Sequence, residues 1–246
     1  IRKCRVCQQC LAASMRDRIG RAIAESMSPK TSVVGVTLTY GGGDIPKALM
    51  LHYSDVQAYL RRLQHDIGPT RYLAAGEVGQ KGRCHWHLIL YLTEHQQIRR
   101  ERATRIHCKW WTERKKPIGF AFYEDPADVA KSIAYAASYA TKGLQKKGTE
   151  RTIESVVQQS RHPPLGHAYF QKLAYDAALA GLPPMRDLRY SFPGNVSKKG
   201  KPFYYFLSGA SARNYLAHYV DTFERVKGRF PSFKHERLER FLDEQD

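Results

Sequence analysis

Two histidines stand two residues apart in the run Cys84-His85-Trp86-His87-Leu88-Ile89-Leu90-Tyr91. Side chains alternate faces along a strand, so His85 and His87 leave one face, and Trp86, Leu88 and Leu90 the other. Paired imidazoles on a rigid strand have the geometry of metal ligands. Taken alone, two ordinary histidines on a half-exposed strand would be the plainer account. Glu77 shifts that balance. It lies in the preceding strand-like run, Arg71–Val78, which a Gly79-Gln80-Lys81-Gly82-Arg83 loop joins to Cys84–Leu92 at hairpin spacing. If Val78 pairs with Cys84 across five loop residues, Glu77 falls opposite His85 on the histidine face. A four-residue loop would turn Glu77 into the core, where a lone carboxylate is costly. The first register is therefore expected. Two nitrogens and one carboxylate oxygen with open positions suit magnesium or manganese, and also zinc or iron.

A second group lies in Tyr135-Ala-Ala-Ser-Tyr139-Ala-Thr-Lys142. At roughly 100° per residue, Val129, Ile133, Ala136, Ala137, Ala140 and Leu144 form one apolar stripe of a helix. Tyr135, Tyr139 and Lys142 share a face off that stripe. Two surface tyrosines would be the plain reading, but small alanine neighbours leave both phenols unobstructed. A phenol becomes a nucleophile when a metal draws charge from a phosphate and a cation helps the phenol lose its proton. Lys142 is the candidate cation. Together these residues describe phosphodiester cleavage through a covalent phosphotyrosine.

The charge supports a polyanionic substrate. The chain has 246 residues with 40 basic and 23 acidic, a formal net charge of +17. Residues 99–116 hold eight basic residues against two acidic, and segments 142–151 and 198–201 are also basic. Interleaved with Trp110, Trp111 and Tyr123, they are expected to form a nucleic-acid groove with stacking aromatics. Arg99, Arg100, Arg102, Lys109, Trp110, Lys115, Lys116, Lys146 and Lys147 are the expected DNA contacts. The longest apolar stretch, around Val33–Leu38, is too short to span a bilayer, and no membrane partner is expected. The first residue is Ile1 rather than Met, so the natural start is expected upstream.

Cys4, Cys7 and Cys10 are spaced C-x-x-C-x-x-C, in a total of five cysteines. They suggest a reducing compartment. They could begin a structural zinc knuckle completed by Cys108 or His107, or remain thiols.

The elements that must position these groups follow from pattern. A helix is expected over residues 11–27, stopped by Ser28-Pro29, and a β-branched strand over 32–40, followed by a loop. A helix capped by Ser54 should run to Ile67, with Val56, Tyr59, Leu60 and Leu63 on one stripe. After the hairpin, residues 93–105 read as a basic helix and Gly119–Tyr123 as a strand. Asp125-Pro126 reads as the start of the tyrosine helix, which should stop at Gly143. Further helices are expected at 167–180 and 210–227. The order implies an α+β fold, an antiparallel sheet with helices packed against it.

The histidine strand, the TLTY strand at 37–40, the GEVGQKGRCHWHLILY block and the YxxxYxxK run together resemble rolling-circle replication initiators of the His-hydrophobic-His (HUH) endonuclease class. They look most like those of Microviridae-type single-stranded DNA phages, where the N-terminal cysteine cluster also has a counterpart. The resemblance covers about residues 32–144. It implies a ferredoxin-like core at 32–149, between a cysteine-bearing helical segment at 1–31 and a mainly helical extension at 150–246. It implies His85, His87 and Glu77 as metal ligands, and Tyr139 and Tyr135 as nucleophiles. Tyr139, with its YxxK context, would make the first nick. The implied partner is single-stranded or supercoiled origin DNA, in the cytoplasm of a bacterial host. The sequence has no GxxxxGK[ST], so a host helicase and polymerase would unwind and extend. Competing readings are a mobilisation relaxase with the same chemistry, a non-catalytic basic nucleic-acid-binding protein, and a 2-His-1-carboxylate oxygenase. The last explains neither the charge nor the tyrosines.

Overall fold

A computed structural model describes residues 7–41, 46–79, 82–96, 108–142, 157–197 and 199–244. The chain divides into a central unit, residues 29–161, and a terminal unit made of residues 1–28 and 162–246. The domain boundaries expected from sequence shift accordingly. Helix α1 (Gln8–Ser26) packs with C-terminal elements rather than standing as a separate segment.

The central unit runs β1 (Thr31–Tyr40), α2 (Tyr53–Ile67), β2 (Arg71–Val78), β3 (Cys84–Thr93), β4 (Thr112–Glu113), β5 (Lys116–Pro117), β6 (Gly119–Glu124), α3 (Val129–Lys142) and β7 (Val157–Gln159). Five strands form one antiparallel sheet in the order β6-β1-β3-β2-β7, and β4 and β5 form a separate small hairpin. This is the expected α+β architecture. The β4–β5 turn places Arg114 and Lys115 at φ 47° and 65°, left-handed conformations that side chains rarely adopt.

Strand parity divides the sheet into two faces. Leu38, Val36, Val34, Trp86, Leu88, Leu90 and Ala121 are buried on one face, with the Val56, Tyr59, Leu60 and Leu63 stripe of α2. Helix α3 packs against β2 and β3, and buries Ile133, Ala136 and Ala137 from its predicted stripe. Gly119 must be glycine because a Cβ there would collide with the Thr39 carbonyl.

Several expectations are corrected. Helix α2 starts at Tyr53 after His52, so Ser54 lies inside it and does not cap it. Strand β3 runs on to Thr93 and is followed by a single 3-10 turn, Glu94–Gln96, where a helix was expected. The rest of that expected helix, with Arg99, Arg100 and Arg102, lies outside the described residues. Helix α3 begins at Val129, later than Asp125-Pro126, because Asp128 accepts a hydrogen bond from the Lys131 amide (2.9 Å) and acts as the cap.

Trp111 and Tyr123 are not groove aromatics. Trp111 is fully buried, donates through Nε1 to the Thr39 carbonyl (2.9 Å) and packs against Tyr40 and Tyr59. Tyr123 is buried between Tyr59 and Cys108, at 3.1 and 3.0 Å. Trp111→Ala should therefore cost about 3–5 kcal/mol in urea denaturation. Trp110 is only half-buried, so Trp110→Ala should cost clearly less.

In the terminal unit, α1 packs against α4 (His167–Leu179) and the β8–β9 hairpin (Arg189–Tyr190, Tyr205–Phe206), and α4 packs against α5 (Gly209–Lys227). The Glu25 carboxylate accepts the Gly166 amide (2.6 Å) at the start of α4. A short helix that the sequence did not announce, α6 (Glu236–Asp243), follows α5. No helix among the described residues is long and apolar enough to cross a membrane.

Candidate active site

The hairpin register is the one that keeps Glu77 out of the core. Val78 pairs with Cys84, Glu77 with His85 and Ala75 with His87. On the other side of β3, Thr37 pairs with His87 and Thr39 with His85. His85, His87, Glu77 and Thr37 therefore project from the same face of three adjacent strands.

On that face, His87 is held from both sides. Its Nε2 lies 3.1 Å from Glu77 Oε2, and its Nδ1 lies 3.2 Å from Thr37 Oγ1. An Nδ1–H donated to Thr37 fixes the tautomer that keeps a lone pair on Nε2, facing the carboxylate. His85 is partly buried, and its Nδ1 is buried without a hydrogen-bond partner among the described residues. Burial, and then the neighbouring His87, hold the His85 imidazole below its ordinary range. That favours the neutral ring, the form that donates to metals.

The donor set suits a divalent cation, and two of its three donors meet across the strands. Among the described residues, no three His, Cys, Asp or Glu side chains are gathered closely enough to hold an ion. Gly79 sets the remaining margin, because a Cβ there would stand 2.9 Å from His85 Nε2. Gly79→Ala should push the ring aside and weaken manganese binding on the order of tenfold by titration calorimetry, with little change in melting temperature.

Helix α3 closes the site. The Tyr135 ring stands edge-on to His87, with centroids 6.3 Å apart and planes at 71°. Tyr135 is 59% exposed, as its position off the apolar stripe requires. A groove of about 490 Å³ is lined by Gly35, Thr37, His87, Glu124, Lys131 and Tyr135, among others. Tyr139 and Lys142 lie on the same helix, one and two turns further on, but their side chains lie outside the described residues.

Sequence reasoning missed Thr37, Glu124, Lys131 and Gly79. Thr37 alternates on its strand with the right parity, but nothing in the sequence says that β1 is the second neighbour of β3. Glu124 and Lys131 lie on the far side of the groove, and only the packing of α3 reveals them.

Lys109 and Trp110 converge on Asp66. Lys109 forms an ion pair with that carboxylate and stands over the Trp110 ring at 5.1 Å, and Trp110 Nε1 donates to the same carboxylate (2.8 Å). The lysine and then the tryptophan hold Asp66 well below the usual carboxylate range. Lys115 and Lys116 are exposed on the β4–β5 hairpin. Lys146 and Lys147 lie outside the described residues, as does Cys4. Cys7 and Cys10 lie in the terminal unit, where the Cys7 sulfur caps α1 by accepting the Cys10 amide. Cys108 is buried in the core of the central unit.

No curated protein and no solved structure matches the chain. Residues 33–144 match the family model of the replication-associated protein ORF2. This is a family of rolling-circle replication initiators, and the matched stretch holds Thr37, Glu77, His85, His87, Tyr135 and Tyr139. The match supports a role in the initiation of rolling-circle replication.

Proposed function

We propose that the protein is an HUH-class nickase of the Microviridae type, which cuts and rejoins one DNA strand at a replication origin through a 5′-phosphotyrosine. The observation that carries this reading is Tyr135 standing over His87, the histidine that also faces Glu77. A candidate nucleophile and a candidate cation site share one groove.

The phenolic oxygen of Tyr135 or Tyr139 attacks the scissile phosphorus. The bond from phosphorus to the 3′ oxygen breaks, and that oxygen takes up a proton in place of the one the phenol lost. The 5′ phosphate stays on the tyrosine, and the 3′ hydroxyl primes synthesis. Reversal by a new 3′ hydroxyl reseals the strand and frees the phenol. A divalent cation held by His85, His87 and Glu77 would offset charge on the phosphoryl oxygens. Lys142 would stabilise the phenolate. A host helicase and polymerase would supply unwinding and extension.

Single-stranded oligonucleotides tiled across the replicon that encodes the protein, incubated with it and manganese, should give a detergent-stable protein–DNA adduct. A non-catalytic binding protein would bind the same DNA and form none.

A further inference from the structure

The terminal unit carries a surface that the site above does not use. In the β8–β9 hairpin, Arg189 pairs with Phe206 and Tyr190 with Tyr205. Tyr190 and Tyr205 face inward, buried in a ring cluster with Phe192. By alternation the outer face holds Arg189, Tyr204 and Phe206. The Arg189 guanidinium lies 4.4 Å from the Tyr204 ring centroid. Phe203, Tyr204 and Phe206 are 47%, 43% and 44% exposed. Residues 188–206 contain no Asp or Glu.

The loop joining these strands presents two exposed cations, Lys199 and Lys201, from a well-tied backbone. The Ser197 amide donates to the Lys201 carbonyl (2.8 Å), the Gly200 amide to the Ser197 carbonyl (2.9 Å) and the Phe203 amide to the Asn195 carbonyl (3.1 Å). Asn195 in turn donates to the Tyr205 hydroxyl (2.7 Å). Rings and cations are thus held in place before any ligand arrives, which lowers the entropy lost on binding.

We propose that this face is a stacking platform for single-stranded DNA, with Phe203, Tyr204 and Phe206 taking unpaired bases and Arg189, Lys199 and Lys201 the phosphates. Open rings beside cations, with no acid between them, complement a chain that offers bare base faces and regular negative charge. Duplex DNA hides its base faces, and a bilayer favours bulky aliphatic residues over a tyrosine stacked on arginine. The choice of DNA as ligand rests on the proposed nicking function, which produces a displaced single strand that this unit would hold.

Full-length protein is photo-crosslinked to an oligothymidylate containing 5-iodouracil, and the modified peptides are mapped by mass spectrometry. Adducts within residues 202–206 are expected. Replacing Phe203, Tyr204 and Phe206 by leucine, which keeps apolar bulk without the ring face, should lower affinity on the order of tenfold with the salt slope unchanged. Lys199→Gln with Lys201→Gln should flatten the log–log salt slope by about 1.4. Absence of adducts in residues 202–206, or wild-type affinity in the leucine variant, would overturn the proposal. So would binding of these rings to anionic vesicles in preference to the oligonucleotide. A protein that crosslinks here but never forms the tyrosine adduct loses the nicking function and keeps the platform. The opposite pattern loses only the platform.

Discussion

Replacing both Tyr135 and Tyr139 by phenylalanine is expected to abolish the covalent DNA adduct, while either single replacement leaves an adduct on the remaining tyrosine. The two positions are one turn apart on α3, separated by about 6 Å along the axis. Two phenols at that spacing can serve one scissile site in turn. One holds the 5′ end of the parental strand while the other cuts the regenerated origin. The new 3′ hydroxyl then attacks the first phosphotyrosine and closes the circle. Mass spectrometry of the adduct peptide reads the outcome directly. Tyr135→Phe should label Tyr139, and Tyr139→Phe should label Tyr135. If one single variant forms no adduct at all, alternation fails and a one-tyrosine nickase remains. Phenylalanine keeps the ring that packs on His87, so loss of the adduct would report the missing oxygen rather than a disturbed groove.

His87→Ala is expected to lower cleavage on the order of a thousandfold, about 4 kcal/mol of transition-state stabilisation, while origin binding persists. Binding survives because affinity for DNA comes mainly from cations that meet phosphates, and these lie elsewhere on the chain. Cleavage is lost because the substitution removes the residue that meets Glu77, Thr37 and Tyr135 together. Glu77→Ala should be milder, since both histidines remain. Parallel measurements of single-turnover cleavage and filter binding, with magnesium and with manganese, separate the two effects. Normal cleavage by His87→Ala in both metals would remove the metal assignment.

Much of this site was legible because two physical penalties are steep. A lone buried carboxylate is costly, and that alone chose the register that sets Glu77 opposite His85. A helix must bury its apolar stripe, and that placed Ile133, Ala136 and Ala137 inside and Tyr135 outside. What stayed hidden depends on contacts between distant segments. The order β6-β1-β3-β2-β7 brings Thr37 to His87, and no local pattern encodes which strands lie side by side. Trp111 and Tyr123 sit beside lysines in sequence, so local composition read them as surface aromatics. Their burial follows from the approach of β1 and α2, which offer the Thr39 carbonyl and the Tyr59 hydroxyl as partners. Strand β7 has only three residues, too few to show an alternation.

That short strand bears on how the central unit can be cut free for study. Val157, Gln158 and Gln159 pair with Ala75, Ala74 and Leu73, and the Ser160 amide donates to the Tyr72 carbonyl. The family match ends at residue 144, which invites a fragment that stops there. Such a fragment would leave the backbone donors and acceptors of β2 bare along Tyr72-Leu73-Ala74-Ala75, a flat, uncharged edge ready to recruit the same edge of another molecule. A minimal nuclease is therefore better ended after Arg161, where the sheet still carries its own guard against self-association.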